Sequence, residues 1–228
     1  MSTVRHAVVM SSYNRPTMIA KAIRSVRFQS RPFQLIVTDD GSNDETRQAI
    51  ERAFSGDSKC QVIYSDRPRV GELADPTVRA VMCINDAIAL IRDTVEFVHY
   101  LPDDDWYAAG RFAAFERFFD AHDSFDVAYG RLKYVEDDKE TGELFHDRVL
   151  TDPVCRVDHG QFCHRYSCFL RVPAWPIEPG NYAFDAAFFK KLVAAGYSFY
   201  PIQEVVNYKR KHEKNLQNTG TESIDERE

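Results

Sequence analysis

Four short apolar runs, each ending in a polar loop and followed by a segment of helical periodicity, constrain this chain more than any other feature. Ala7–Met10 leads into Ser11-Ser12-Tyr13-Asn14-Arg15-Pro16, after which Ile19, Ala22, Ile23 and Val26 recur on one helical face. Leu35–Val37 leads into Asp39-Asp40-Gly41-Ser42, and Ser42 with Glu45 reads as a capping box opening a helix through Phe54. Gln61–Tyr64 is followed by a polar loop, Ser65–Pro76, and then by a helix marked by Val81, Ile84, Ile88 and Ile91. Val95–Leu101 runs into Pro102-Asp103-Asp104-Asp105, and Phe112, Phe115 and Phe119 mark the helix beyond it. Such alternation predicts a mainly parallel α/β sheet with helices on both faces. Ligands bind these sheets outside the carboxyl ends of the strands. The clusters at 11–15, 39–42 and 103–105 all fall at such ends, so three polar loops are expected to converge on one edge.

From Val127 the pattern loosens. Val127–Tyr129 and Leu132–Val135 read as strands, Asp137–Gly142 as a hairpin turn, and Ala183–Ala195 as a helix ended by Gly196. Phe199–Val206 reads as a last strand or loop, and residues 209–228 as a charged, frayed end. With 228 residues and no internal repeat or linker, a single domain is expected. Hydrophobic residues make up 44% and charged residues 28%, which excludes disorder as the main state. The net charge of −6 argues against broad electrostatic capture of nucleic acid. No run approaches ~18 uncharged apolar residues, as a membrane span requires. The N-terminus enters its first strand without room for a signal peptide, and five cysteines lack any CxxC spacing. The chain therefore reads as soluble and cytoplasmic, with free thiols.

The Asp103-Asp104-Asp105 triplet is the sharpest chemical feature. Adjacent carboxylates repel one another, and a hard cation such as Mg²⁺ or Mn²⁺ would relieve that repulsion; a solvated loop with a capping aspartate is the alternative. Asp39-Asp40-Gly41-Ser42 offers an acceptor for a base or ribose, or simply a turn and helix cap. Neither GxGxxG nor GxxxxGK[ST] is present, which sets aside dinucleotide dehydrogenases and P-loop NTPases. His159 and His164 with Cys163 and Cys168 suggest zinc only at an unusual spacing, and packed histidines explain them equally. Trp106, Tyr107 and Trp175 can stack on a sugar ring or pack in the core.

In their order, Met10–Pro16, Thr38-Asp-Asp-Gly-Ser42 and Tyr100-Leu-Pro-Asp-Asp-Asp-Trp106 resemble the family 2 glycosyltransferases of GT-A fold. Cys155–His159, His164–Ser167, Asp185–Phe189 and Tyr200-Pro-Ile extend the resemblance to the branch acting in spore-coat polysaccharide synthesis. The resemblance implies a GT-A, Rossmann-like mixed but mainly parallel sheet flanked by helices. It would span residues 1–215, a donor half over about 1–106 and an acceptor half over about 107–215, with a charged tail at 216–228. By the same resemblance Ser11, Tyr13 and Arg15 would line a nucleotide-base pocket, Asp40 would accept from the base, and Asp103 would lie near the ribose. Arg79 and Asn85 would fall near the donor loop. Asp104 would be the metal aspartate, with Asp105 beside it, although Asp103 and Asp105 form the literal D-x-D. His212 would face the metal and diphosphate, and Asp185 would be the general base, with Glu178 and Asp158 in reserve.

The implied activity is a metal-dependent (Mn²⁺ or Mg²⁺), inverting transfer of a sugar from a UDP- or dTDP-sugar to a hydroxyl of a glycan or glycoconjugate. Two competing readings remain at this level. One is a non-catalytic nucleotide-sugar or carbohydrate-binding protein. The other is a glycosyltransferase acting on modified DNA bases, which rests on the basic run at 209–214.

Overall fold

The computed structural model describes residues 4–212 except 55, 93 and 182. β1 (His6–Ser12), β2 (Phe33–Asp39), β3 (Cys60–Tyr64) and β4 (Phe97–Tyr100) form a parallel ladder in the spatial order β3-β2-β1-β4. Alternate residues of β1 enter different cores, as the period of two requires. Val8 and Met10 pack with α1 (Pro16–Arg27) and α2 (Asp44–Phe54), whereas Ala7 and Val9 pack with α3 (Pro76–Ile88). α1 begins at a proline, whose fixed φ suits a first helical turn, and buries Ile19, Ala22, Ile23 and Val26. Each of its larger buried side chains contributes roughly 1.5–3 kcal/mol relative to exposure.

The capping box expected at Ser42 is displaced by one residue. α2 starts at Asp44, and Asn43 caps it, its Oδ1 accepting from Thr46 N at 3.0 Å and from Thr46 Oγ1 at 2.8 Å. Ser42 Oγ instead accepts from Asn14 N at 3.0 Å, tying the loop after β1 to the loop after β2. α3 is capped by Asp75, which accepts from Thr77 N at 2.7 Å.

Beyond β4 the parallel pattern ends. β5 (Trp106–Tyr107) and α4 (Arg111–Ala121) are followed by β6 (Val127–Glu136) and β7 (Lys139–Leu144). The β6–β7 turn is only Asp137-Asp138, both at positive φ (48° and 60°), a two-residue hairpin with strand resuming at Lys139. β8 (Phe162–Arg165) runs antiparallel between β4 and β6, and was not anticipated. α5 (Phe184–Ala194) precedes β9 (Phe199–Arg210), which pairs parallel with β6 and antiparallel with β5. Parallel and antiparallel pairings are thus evenly divided over the sheet. Residues 209–210 belong to β9 rather than to a frayed end, and the tail expected at 216–228 lies outside the described residues.

Arg111, fully buried, joins the halves: its Nε donates to His99 Nδ1 at 3.3 Å, and its other nitrogens donate to Gly160 O at 2.6 Å and Phe162 O at 2.7 Å. Among the described residues no helix is long and apolar enough to cross a membrane.

Candidate active site

The carboxyl ends of β1, β2 and β4 open onto one cleft, lined among others by Ser11, Tyr13, Arg15, Asp40, Arg69 and Asp103. Asp39 faces inward and is structural, accepting from Ser42 N at 3.2 Å and Arg47 Nε at 3.1 Å. Asp40 is gripped from behind by Arg79, whose Nε donates to Oδ2 at 2.7 Å and Nη2 to Oδ1 at 2.5 Å. Arg69 Nη2 adds a third bond to Oδ2 at 3.0 Å, and its guanidinium lies 3.7 Å over the exposed Tyr13 ring.

Arg79 corrects an expectation. It is 1% exposed, does not line the cleft, and gives its remaining donor atom to the carbonyls of Arg67, Pro68 and Leu73 at 3.2 Å each. It therefore orients Asp40 and latches the 65–76 loop. Asn85 is likewise occupied, exchanging two hydrogen bonds with the Trp175 backbone at 3.0 and 2.9 Å. The cleft residue that motif reading missed is Arg69. It stands in a polar loop with Arg67, and nothing local separates a ligand-facing arginine from a structural one.

The three adjacent aspartates diverge. Asp103 takes Tyr13 N at 3.3 Å and Arg15 Nη1 at 3.2 Å. Burial and the neighbouring Asp104 charge push it up to about 6 against the pull of Arg15. Asp104 Oδ2 receives both Arg15 Nη1 and His212 Nε2, the latter at 3.1 Å. Burial opposes its charge, yet those two partners hold it down at about 2. Asp105 turns away to β9, accepting from Arg210 N at 3.0 Å and Asn207 Nδ2 at 3.4 Å. Burial, with Asp104 beside it, pushes its carboxyl well up. The expectation of Asp105 as a metal ligand is thus corrected: both its oxygens face β9.

Asp104 and His212 together offer a carboxylate oxygen and an imidazole nitrogen converging at one point. That donor pair fits a divalent cation, Mn²⁺ more readily than the oxygen-preferring Mg²⁺. Arg15 already supplies positive charge between Asp103 and Asp104, which offsets part of their mutual repulsion.

A second cleft opens beside α5, lined by Tyr134, Cys155, Asp158, Asp185 and Lys209 among others. Asp185 lies in the first turn of α5, inside the helix rather than at its cap, which is Ala183. Its Oδ1 accepts from Ala186 N at 2.9 Å. Ligand-type atoms of Asp158, His159 and Asp185 all lie within 4.8 Å of one another. Lys209 Nζ sits 2.5 Å from Asp158 Oδ2, so an ammonium already supplies the positive charge that this group needs. Burial pushes Asp185 up, His159 pulls it down and Asp158 adds to the rise. Glu178 is exposed and bonds Asn181 Nδ2 at 2.8 Å, apart from this group.

The zinc suggestion dissolves. His164 is buried with its Nε2 2.9 Å from the Tyr100 hydroxyl, and burial lowers it to about 4. His159 belongs instead to the Asp185 cluster. Trp175 is core, its ring stacked 4.5 Å from Phe188, and Trp106 stacks on Tyr208 at 5.5 Å under the Lys21 ammonium. Of the described residues of the basic run, Lys209 holds Asp158 and Lys211 lies over the Tyr134 ring.

A parallel half-sheet, an antiparallel extension and carboxylates gathered at the strand ends together define the GT-A glycosyltransferase fold. The sequence model of the family Glycosyl transferase family 2 matches residues 7–74, from β1 into the loop that Arg79 latches. Protein CgeD of Bacillus subtilis (strain 168) is 26% identical, the match covering 93% of this chain and 51% of CgeD. S. aureus TarS 1-349, solved in complex with UDP-GlcNAc, superposes with a TM-score of 0.78 at 18% identity, over 96% of this chain and 62% of that one. The mannosyltransferase PcManGT of Pyrobaculum calidifontis, solved with GDP-Man and Mn²⁺, gives a TM-score of 0.67 at 16% identity, over 95% and 59%. The chain thus spans about half the length of CgeD. The motif resemblance drawn from its loops stands.

Proposed function

We propose that this chain is a metal-dependent, inverting glycosyltransferase that moves a sugar from a pyrimidine nucleoside-diphosphate donor, UDP or dTDP, to a hydroxyl of a glycan or glycoconjugate. One observation carries the reading: the end of β9 touches two chemically distinct clefts at once. His212 meets Asp104 beside the Tyr13–Asp40 cleft, and Lys209 meets Asp158 beside Asp185. A donor site and a base site bridged by one strand are what sugar transfer between two substrates needs.

Among the described residues Asp40 Oδ1 accepts only from Arg79 and so retains a lone pair for the imide N–H of uracil or thymine. Tyr13, with Arg69 stacked on it, offers a flat wall for the ring. Asp104 and His212 would hold Mn²⁺ or Mg²⁺, whose charge would offset that building on the departing diphosphate. Arg15 keeps Asp104 ionised for that role. Asp185, half-buried and aimed into the second cleft, would take the acceptor's proton as its oxygen attacks the anomeric carbon.

The test is titration calorimetry with UDP, dTDP, GDP and CDP, each with and without Mn²⁺. Metal-dependent binding of one pyrimidine diphosphate is expected, and Asp104→Ala should abolish the metal dependence. Binding of the same nucleotide without turnover of any of its sugars would favour a carbohydrate-binding protein instead.

A further inference from the structure

Asp158 and Asp185 bring two carboxylates within 4.8 Å of each other, under a half-buried cleft where water screens them poorly. Two such groups do not both ionise readily, and the usual result is that one of them keeps a proton. A protonated Asp185 could not accept one from a hydroxyl. The answer lies on β9. Lys209, half-buried in the wall of the cleft, places its ammonium 2.5 Å from Asp158 Oδ2, while Asp158 Oδ1 accepts from Gly160 N at 2.8 Å. Both Asp158 oxygens are thereby committed, and its charge is neutralised by the ammonium.

We propose that Lys209 is a positioning residue for the base: through its ion pair with Asp158 it keeps the neighbouring Asp185 carboxylate ionised at working pH. The proposal rests on the reading of Asp185 as the base. Every group that bears on Asp185 agrees with this layout. From its own helix comes the Ala186 N–H, from the loop before β8 Asp158 and His159, from β9 Lys209, and from the cleft wall Tyr134 and Cys155. Of these only Lys209 is a permanent cation. Its neighbours on β9 contact the other site, Arg210 N bonding Asp105 and Nε bonding the Asp104 carbonyl. The strand that leads into the candidate metal-site histidine, two residues beyond its end, therefore also sets the charge of the base.

The experiment is a carbon-detected NMR titration of the Asp185 carboxyl in the full chain without ligands, which needs no turnover. In Lys209→Met the Asp185 midpoint should rise by about one pH unit or more, because the Asp158 charge is left uncompensated. In Asp158→Asn it should fall, the like charge having gone, which gives the same test with the opposite sign if the lysine variant does not fold. Lys209→Arg and the double variant Lys209→Met/Asp158→Asn should both return the midpoint close to that of the wild type. The acid limb of kcat should move in the same order across the four variants, with donor affinity unchanged. An Asp185 midpoint that stays fixed in both single variants overturns the coupling. Wild-type turnover in Asp185→Asn overturns instead the base reading on which the proposal stands.

Discussion

In the first half of the molecule, residues 6–107, the candidate side chains other than Arg79 and Asn85 of α3 stand on the ends of parallel strands or in the loops that follow them. In the second half the corresponding groups come from the loop before β8, the first turn of α5 and the end of β9, three segments far apart in sequence. The first arrangement is modular, because a strand-end loop is positioned by the strand that carries it. The second depends on assembly: Asp158, Asp185 and Lys209 meet only because β6, β8 and β9 pair correctly and because Arg111 ties Gly160 and Phe162 to His99 on the donor side. Damage to one loop should therefore have local effects in the first half and spreading effects in the second.

The sharpest way to break this comparison is Asp185→Asn. Turnover should fall by about 10²- to 10⁴-fold while donor affinity is unchanged, as measured by steady-state kinetics beside calorimetry. A parallel loss of donor affinity would mean that the two sites are not separable.

Asp40→Ala should cost about 3–5 kcal/mol of stability in urea unfolding, because the buried Arg79 guanidinium loses its carboxylate partner. A loss below about 1 kcal/mol would show that the carbonyls of the 65–76 loop suffice to hold Arg79. Nucleotide affinity in that variant reports on both the cleft and the latch, so Tyr13→Ala, whose ring is on the cleft wall, is the cleaner probe of base stacking.

Buried histidines carry one part of the pH dependence. Burial lowers His6 and His164 from 6.5 to about 4. Between those values the unfolded chain binds protons that the native state refuses, so each histidine contributes stability that is lost as pH falls from 6.5 towards 4, while the raised carboxyls of Asp103 and Asp105 contribute with the opposite sign. The loss should reach up to about 3 kcal/mol per histidine. Chemical denaturation of the wild type and of His164→Gln at pH 7 and pH 4.5 measures it, the difference between the two slopes being the share of His164.

Gly130→Ala should have the smallest effect and fall in the second half. A Cβ there would lie 2.4 and 2.8 Å from the two methyls of Val206 and 2.9 Å from Glu204 O, where β6 shifts register against β9. About 1–3 kcal/mol of destabilisation is expected, with Asp185 turnover falling in step if pairing positions the base.

Local signals made the first half readable. Periodicity, proline at the start of α1 and polar clusters at strand ends lie within a few residues of one another, and the family model matches this same stretch. Even there two details escaped. The cap shifted from Ser42 to Asn43 because Ser42 was taken by Asn14 across the cleft, and Arg79 turned inward because Asp40 offered both oxygens to it. Each outcome depends on a partner 28 to 39 residues away, which no local pattern records.

By itself the sequence determined the alternation of strands and helices, the edge at which the polar loops gather and the set of carboxylates available for chemistry. Tertiary structure alone decided which way each carboxylate points. Asp103, Asp104 and Asp105 are chemically identical neighbours, yet Tyr13 and Arg15, His212, and the backbone of β9 divide them among three environments. Tertiary structure also brought Lys209 under Asp158, because a strand starting at Phe199 finds its register only against β6 and β5. Composition and spacing set which charges a chain carries. Which of them are ionised depends on burial and on the partner held within a few ångströms, and that depends on the completed fold.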